Sequence, residues 1–436
     1  METKSGTQQA AGLTRRSFLR RAGAATVAGL AAGPYVNTKG RVLGANDRIG
    51  VGFIGAGGRA GAHMGMVRHL RDEGKELVDL VAVADIYRPR MERRKAEFKM
   101  ARGYTDHREL LADSAVDLVC IATPDHHHGY QALDALAAGK DLYCEKPVTH
   151  WRQFELTKKL AEAAAASDRV LQLGSQAMSD SAWAQMKKLV KEGLIGRPIF
   201  GETGFFRVGD WGERGMPVDD ANAKPGPDLN WEAFLGDAPK REFSVDRYFR
   251  WRLFEDYAGG PATDLYPHCL TQVVDILGVG FPSAVVGLGS VSRYPYELRE
   301  VPDTFSLIAQ YPEQVTISVI GTQGNDYETT DLRGAGQRQP VIRGWEGSLT
   351  ISKNKDIVFT PIREKGAKPA QTIPIERAEN NVEHWKNLLD GARARNQATW
   401  SPMELAFRTQ TILQMAMKSW KDGRTCRFDA EKKSLM

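Results

Sequence analysis

Ile49-Gly50-Val51-Gly52-Phe53-Ile54-Gly55-Ala56-Gly57-Gly58-Arg59-Ala60 is an apolar run that ends in a glycine-rich turn. The run reads as a buried strand, and the pattern beyond it as a helix through Leu70. Glycine suits such a turn because the backbone must bend tightly and come close to whatever sits on the helix N-terminus. Gly55 and Gly57 fill the first two positions of a G-x-G-x-x-[GA] pattern, and Ala60 fills the third with a small side chain. Gly58 and Arg59 lie between them.

The same rhythm continues outward. Strand patterns at Leu77 to Ala84, Val116 to Ala122, Asp141 to Cys144 and Val170 to Leu173 alternate with helical patterns at Arg88 to Met100, Tyr130 to Ala138 and Trp151 to Ala166. Short apolar strands alternating with helices predict a doubly wound parallel sheet of the Rossmann type over residues 46–173. Asp85 ends the second strand, where an acidic residue accepts hydrogen bonds from ribose hydroxyls and repels a 2′-phosphate. The turn and Asp85 together therefore predict NAD, with Arg88 leaving NADP as the lesser alternative.

Beyond Gly174 the pattern changes. A helix is expected from Ser181 to Glu192, then an irregular stretch from Asp210 to Pro239. Strands follow at Ala284 to Ser292, Thr304 to Tyr311, Gln314 to Gly321, Gly347 to Ile351 and Ile357 to Thr360. Asn325 to Arg343 reads as a loop, and helices at Val382 to Arg393 and Pro402 to Trp420 close the chain. Residues 174–436 are thus expected to form an α/β domain with an open, mixed, mainly antiparallel sheet that binds substrate.

The N-terminus has a different character. Thr14-Arg15-Arg16-Ser17-Phe18-Leu19-Arg20 precedes Ala22 to Ala32, a run too short and too weakly apolar for a membrane span. This is the pattern of a twin-arginine signal peptide, so residues 1–45 are expected to be signal and linker, and the protein periplasmic or otherwise extracytoplasmic. The formal charge of +5 is mostly signal. Lys4, Arg15, Arg16, Arg20 and Arg21 against Glu2 leave the remaining chain near +1, which gives no electrostatic case for nucleic acid. The four cysteines, Cys120, Cys144, Cys269 and Cys426, lack zinc-site spacing, and no disulfide is expected.

Two further segments carry a family resemblance. Ala122-Thr123-Pro124-Asp125-His126-His127-His128 and Glu145-Lys146-Pro147 each follow a strand. With the glycine turn and the late Gly344-x-x-Gly347, they resemble the Gfo/Idh/MocA oxidoreductases over nearly the whole chain beyond the signal. The resemblance implies a Rossmann domain followed by a substrate domain whose sheet supports a homo-oligomer. It adds Thr123, Pro124, His128, Glu145 and Lys146 to the cofactor site and places Lys146 beside nicotinamide and substrate. It also matches Asp264-Leu265-Tyr266-Pro267-His268 to the family's Asp-x-x-x-His, making Lys146, Asp264 and His268 the expected catalytic set. On one helix, positions four apart share a face, but Pro267 is tolerable only near a helix start, so the helix is expected to begin about there. Where relatives often carry Arg after the sixth strand, this chain reads Ser175-Gln176. Three consecutive histidines point in different directions, so no metal is expected.

The implied activity is NAD(P)-dependent oxidation of a secondary hydroxyl on a sugar, sugar alcohol or glycoside. Trp211, Trp231, Trp251 and Arg252 flank the second motif and are candidates for sugar contacts, with ordinary core packing an equal alternative for each tryptophan. An exported enzyme finds no pool of free NAD, so the cofactor is expected to stay bound. Two alternatives remain open here: a glycosidase working by oxidation, elimination and re-reduction, and a non-catalytic sugar- or cofactor-binding protein.

Overall fold

The computed structural model describes residues 48–210, 212–327 and 337–436, apart from the side chains of Gln337 and Arg338. The arginine pair and Trp211 lie outside the described residues.

The first half is a six-stranded parallel sheet in the order β3-β2-β1-β4-β5-β6. Its strands are β1 (Ile49–Ile54), β2 (Val78–Ala84), β3 (Arg102–Tyr104), β4 (Leu118–Ile121), β5 (Asp141–Cys144) and β6 (Leu171–Leu173). Helices α1 (Gly58–Asp72), α2 (Arg88–Glu97), α3 (His107–Ala112), α4 (Asp125–Ala137) and α5 (Phe154–Ala166) connect them. Every residue of β1, β4 and β5 is buried, which is why these strands read as continuous apolar runs. The three-residue β3 is too short and too exposed to leave a sequence signal. The strand order reverses between β1 and β4, opening a crevice at their C-terminal ends where ligands bind in such sheets.

The second half contains α6 (Ser181–Lys191), β7 (Pro198–Phe206), α7 (Trp231–Leu235), α8 (Val245–Phe249), α9 (Pro261–Asp264) and α10 (Pro267–Leu277). Then come β8 (Ala284–Ser290), β9 (Thr304–Gln310), β10 (Thr316–Thr322), β11 (Gln337–Gly344), β12 (Gly347–Ile351), β13 (Asp356–Pro361) and β14 (Gln371–Pro374). Helices α11 (Asn381–Ala394) and α12 (Met403–Asp422) precede β15 (Cys426–Asp429) and β16 (Ser434–Leu435). The ten strands form one mixed sheet in the order β14-β13-β12-β11-β7-β10-β9-β8-β15-β16. Only β7 and β10 pair in parallel.

Five strands of this sheet depart from expectation, and three of them, β14, β15 and β16, are too short to leave a clear sequence signal. Asn325 to Arg343 was expected as loop, yet Gln337–Gly344 is a strand pairing with both β7 and β12. Its polar sequence and Pro340 hide it, and the register slips between Arg338 and Val341 to pass the proline. Strand β7 is masked by its internal glycines. A side chain at Gly201 would come within 2.6 Å of Val273, so glycine is what lets α10 lie close on the sheet. Helix α11 packs on α1, carrying Trp385, Leu388 and Leu389 into the core of the parallel sheet. A third cluster, built from Tyr87 and the aromatics of 229–258, fastens the irregular stretch to the end of β2.

Candidate functional site

The glycine turn lies at the switch point of the parallel sheet. Gly55 has φ +96°, and a side chain there would meet the Ala122 carbonyl, so this glycine is required by the fold. Gly57 and Gly58 differ: a Cβ at either meets nothing within 4 Å and projects into open space. Helix α1 has no side-chain cap at Gly57 and no acidic residue in its first turn, so its leading amides are available to an anion. Asp85, half-buried just past the end of β2, accepts from the amides of Ala56 at 2.7 Å and Tyr87 at 2.8 Å. The open cradle, the uncapped helix and the acid beside the turn fit a dinucleotide.

Glu145 directly follows β5 and sits in a buried network. Its carboxylate accepts from Arg59 Nε at 2.7 Å, His63 Nε2 at 2.7 Å and Gln176 Nε2 at 2.9 Å. The Trp385 indole N–H donates to His63 Nδ1 at 2.9 Å, which leaves Nε2 as the protonated nitrogen facing Glu145. Burial would raise the Glu145 pKa, but Arg59 and His63 outweigh it and hold the carboxylate well below its ordinary range. Arg59 and Glu145 thus pair with each other, and Glu145 also accepts from the Lys146 amide at 3.2 Å. They hold the turn and the C-terminal end of β5 together. Gln176, in the place where relatives often carry arginine, serves this network and also donates to Tyr143.

Lys146 emerges from that strand end toward the second domain. Its Nζ donates to Asp264 Oδ1 at 2.8 Å and to the Asp264 carbonyl at 2.5 Å. An ammonium has three N–H donors, so one remains for a substrate hydroxyl. Arg252 Nε lies 3.3 Å from the same Asp264 oxygen. Burial opposes ionisation of Asp264, yet Lys146 and Arg252 hold its pKa far below the usual carboxylate value. His268, half-buried, feels Lys146, Glu145 and Asp264; burial and then Lys146 push its pKa down to about 3. The expected catalytic residues therefore share one cleft, but Asp264 and His268 do not share one helix. Asp264 ends α9 and His268 sits in the first turn of α10, because Pro267 starts a new helix and cannot continue the old one.

Three more charged residues border the cleft. Asp125, in the first turn of α4, is buried and accepts from Thr263 Oγ1 at 3.3 Å. Burial raises its pKa to about 7 against the pull of Arg252 and Lys146. Glu213 accepts from Gln323 at 2.6 Å, and burial together with the nearby Asp264 raises its pKa. Arg207 lies 3.7 Å from Glu213. Nothing in the local sequence marks these residues, because their partners lie in distant elements. Asp125 is the exception in one respect, lying within the quoted Ala122–His128 segment.

The histidine run begins α4 instead of preceding it, since Pro124 caps the helix five or more residues earlier than expected. His126 and His127 both reach the Phe234 carbonyl at 2.7 Å. His128 faces the carbonyls of Pro147 at 2.6 Å and Thr123 at 2.8 Å, tying the two motif loops together. Thr123 donates to Gln131. Among the described residues no group of histidine, cysteine and acidic side chains could hold a metal. Trp231 and Trp251 are corrected from sugar contacts to core. Trp231 stacks on Phe234 and donates to Arg241, while Trp251 is buried with Arg252 lying over its face. All four cysteines are buried free thiols.

Residues 49–175 match the family described as "Oxidoreductase family, NAD-binding Rossmann fold", GFO_IDH_MocA. The parallel-sheet half thus resembles the NAD-binding domain of the Gfo/Idh/MocA oxidoreductases. Curated relatives include inositol 2-dehydrogenase 4 of Saccharopolyspora erythraea, 30% identical over 48% of this chain and 56% of the relative. This chain thus spans about half the length of that relative. Inositol 2-dehydrogenase of Rubrobacter xylanophilus is 28% identical over 71% of this chain and 78% of its own. Among solved structures, levoglucosan dehydrogenase with NADH superposes with a TM-score of 0.64 at 18% identity, over 89% of this chain and 99% of that one. The last likeness concerns the fold, and it extends across both halves.

Proposed function

We propose that this chain is an NAD-dependent oxidoreductase that oxidises a secondary hydroxyl of a cyclic polyol or sugar. The observation that carries the reading is Lys146 held on Asp264 at 2.8 Å at the C-terminal end of the parallel sheet, with His268 in the same cleft. The similarity to curated inositol 2-dehydrogenases supports the same substrate class. A nicotinamide cofactor held at the glycine turn would supply the hydride acceptor for the carbinol carbon. Lys146 donates its remaining N–H to the hydroxyl oxygen and stabilises the developing alkoxide. Neutral His268 accepts the hydroxyl proton, so the alcohol leaves as a carbonyl. Asp264 and Arg252 fix the Lys146 ammonium, and Asp264 supplies the negative charge that steadies a protonated His268.

The test is a screen of inositols and anhydrosugars for formation of reduced nicotinamide. Lys146→Ala is expected to lower turnover roughly 100-fold or more, the loss typical of a positioned proton-handling group, while NAD binding persists. Full activity in that variant rejects the assignment. Uptake of solvent deuterium at a neighbouring carbon with release of an aglycone would point to elimination instead.

Arg15-Arg16 and the short apolar run behind them support delivery outside the cytoplasm by the twin-arginine route, with nucleotide already bound. Arg15→Lys with Arg16→Lys should then hold the precursor inside the cell, and normal export would refute this. A homo-oligomer is supported by Val286, Leu288 and Ile308, exposed on β8 and β9 of the large sheet. Light scattering of the purified chain tests that; a monomer rejects it.

A further inference from the structure

We propose that Asp219, on the irregular stretch of the second domain, makes the adenosine end of the cofactor site selective for NAD over NADP. The inference rests on the reading of residues 49–175 as an NAD-binding domain and goes beyond it, because Asp219 lies outside that domain.

Helix α2 starts three residues after Asp85 and carries Arg88, Arg90, Arg93 and Arg94. Guanidinium groups beside the ribose-binding acid are what a 2′-phosphate requires, since they offer paired, charge-assisted donors. From its own domain alone, this edge would look suited to NADP. The second domain changes that. Asp219 Oδ2 accepts from Arg90 Nε at 2.7 Å and lies 3.3 Å from Arg93. Arg88 faces Asp228 at 3.4 Å. Arg94 is turned inward, to Glu97 at 2.6 Å and to the carbonyls of Ala56 and Gly57.

The Asp219–Arg90 pair is held. Asp219 and Arg90 side chains are only 16% and 17% exposed, so water screens them less than an open surface pair. The stretch is fixed to the end of β2 by backbone bonds from Arg88 to Asp228 at 2.9 Å and from Asn230 to Ile86 at 3.2 Å. Tyr87 and Leu229 form an antiparallel bridge between these anchors. Arg90 also lies over the Phe249 ring, which sets its position from the other side. A 2′-phosphate would bring a charge of about −1.5 to −2 to a place already holding Asp85 and Asp219. The ribose hydroxyl of NAD brings none. Removing the Asp219 charge leaves Arg90 and Arg93 as two cations facing that position.

Titration calorimetry of the full chain with NAD and with NADP tests this. In Asp219→Asn the NADP Kd is expected to fall about tenfold or more, with the NAD Kd changing less than about threefold, the scale of one charge removed from a partly buried site. Asp219→Ser must move the ratio the same way, and it serves alone if the asparagine variant does not fold. Adding Arg90→Ala and Arg93→Ala to either variant should abolish the gain. An unchanged NADP-to-NAD ratio, or a gain that survives loss of both arginines, overturns the proposal while leaving the NAD site intact. A wild-type chain that binds neither nucleotide overturns both.

Discussion

At the residue scale, the site separates charges that carry chemistry from charges that hold position. His268, with its pKa lowered to about 3 by burial and Lys146, is neutral throughout the working range but a weak base, so the proposed proton transfer relies on Lys146 lowering the hydroxyl pKa and on Asp264 steadying the imidazolium. Asp125 is the group that titrates near neutrality, at about 7, and it does so beside Lys146 and Arg252. Its ionisation places a new anion against the cations that steady an alkoxide. The pH profile of kcat/KM, which reports the free enzyme, is therefore expected to show no acid break near 6.5 and a decline above about 7. Asp125→Asn should remove the decline near 7 and leave the acid side flat. An acid break at 6.5 that disappears in His268→Gln would show that His268 is not depressed and would sink this account. Lys146 and Asp264 stand in the quoted motifs and are legible from sequence. Asp125 lies inside one of them but owes its raised pKa to burial against the other domain.

At the element scale, two helices position the cofactor edge. The start of α1 can be tested without disturbing the fold. Gly57 has φ −69°, a value open to any residue, and empty space where a Cβ would go. Gly57→Ala should alter stability by less than about 1 kcal/mol, the scale of a cap-position change. It should weaken NAD binding by roughly tenfold, because the methyl group occupies the approach of the pyrophosphate. Calorimetry and thermal melting measure the two effects; unchanged affinity would place the nucleotide elsewhere. Helix α11 acts from the far side, where Trp385 is fully buried, stacks on Tyr143 and donates to His63. Trp385→Phe keeps the packing but leaves His63 Nδ1 without its donor, a loss of about 1–3 kcal/mol. Chemical denaturation should register it, and an unshifted midpoint would mean that the indole N–H contributes nothing. The sequence pattern places both helices within a residue or two. It does not show that α11 returns to the parallel sheet, since an amphipathic face names no partner.

At the scale of the whole molecule, the interior is rich in neutral histidine. Burial lowers the pKa of His63, pushes His126 well below the ordinary value, and takes His150, His268 and His384 to about 3. An unfolded chain protonates these rings as pH falls through about 6.5, whereas the folded chain does not until far lower. Their contribution is complete above the unfolded pKa and is lost as pH falls toward the folded values. Asp125 has the opposite sign. Its raised pKa contributes most below about 4 and loses that contribution as pH rises through about 7. With these histidines, and Glu145 and Asp264 held below their ordinary values, set against raised carboxylates such as Asp125 and Glu213, acid should destabilise the fold, lowering Tm by roughly 10 °C or more between pH 7 and pH 4.5. A Tm that is flat or rises over that interval would show that these rings do not stay neutral.

What the sequence determined alone is what neighbouring residues decide among themselves. The strand–turn–helix from Ile49 to Ala60, the alternation that follows it and the Glu145-Lys146-Pro147 strand end are local, so their periodicity and turn chemistry are readable directly. The sequence also carried half of the mixed sheet, missing β7 and β11, where glycines, proline and polar residues sit inside a sheet that shields them, and the short β14, β15 and β16. Tertiary structure alone brought Lys146 to Asp264, 118 residues away, and Arg90 to Asp219, 129 residues away. It alone turned Trp231 and Trp251 into core and gave Asp125, Glu213 and Arg207 a place at the cleft. These outcomes depend on how one domain packs against the other, on burial and on the distance between charges, and no spacing along the chain encodes those quantities.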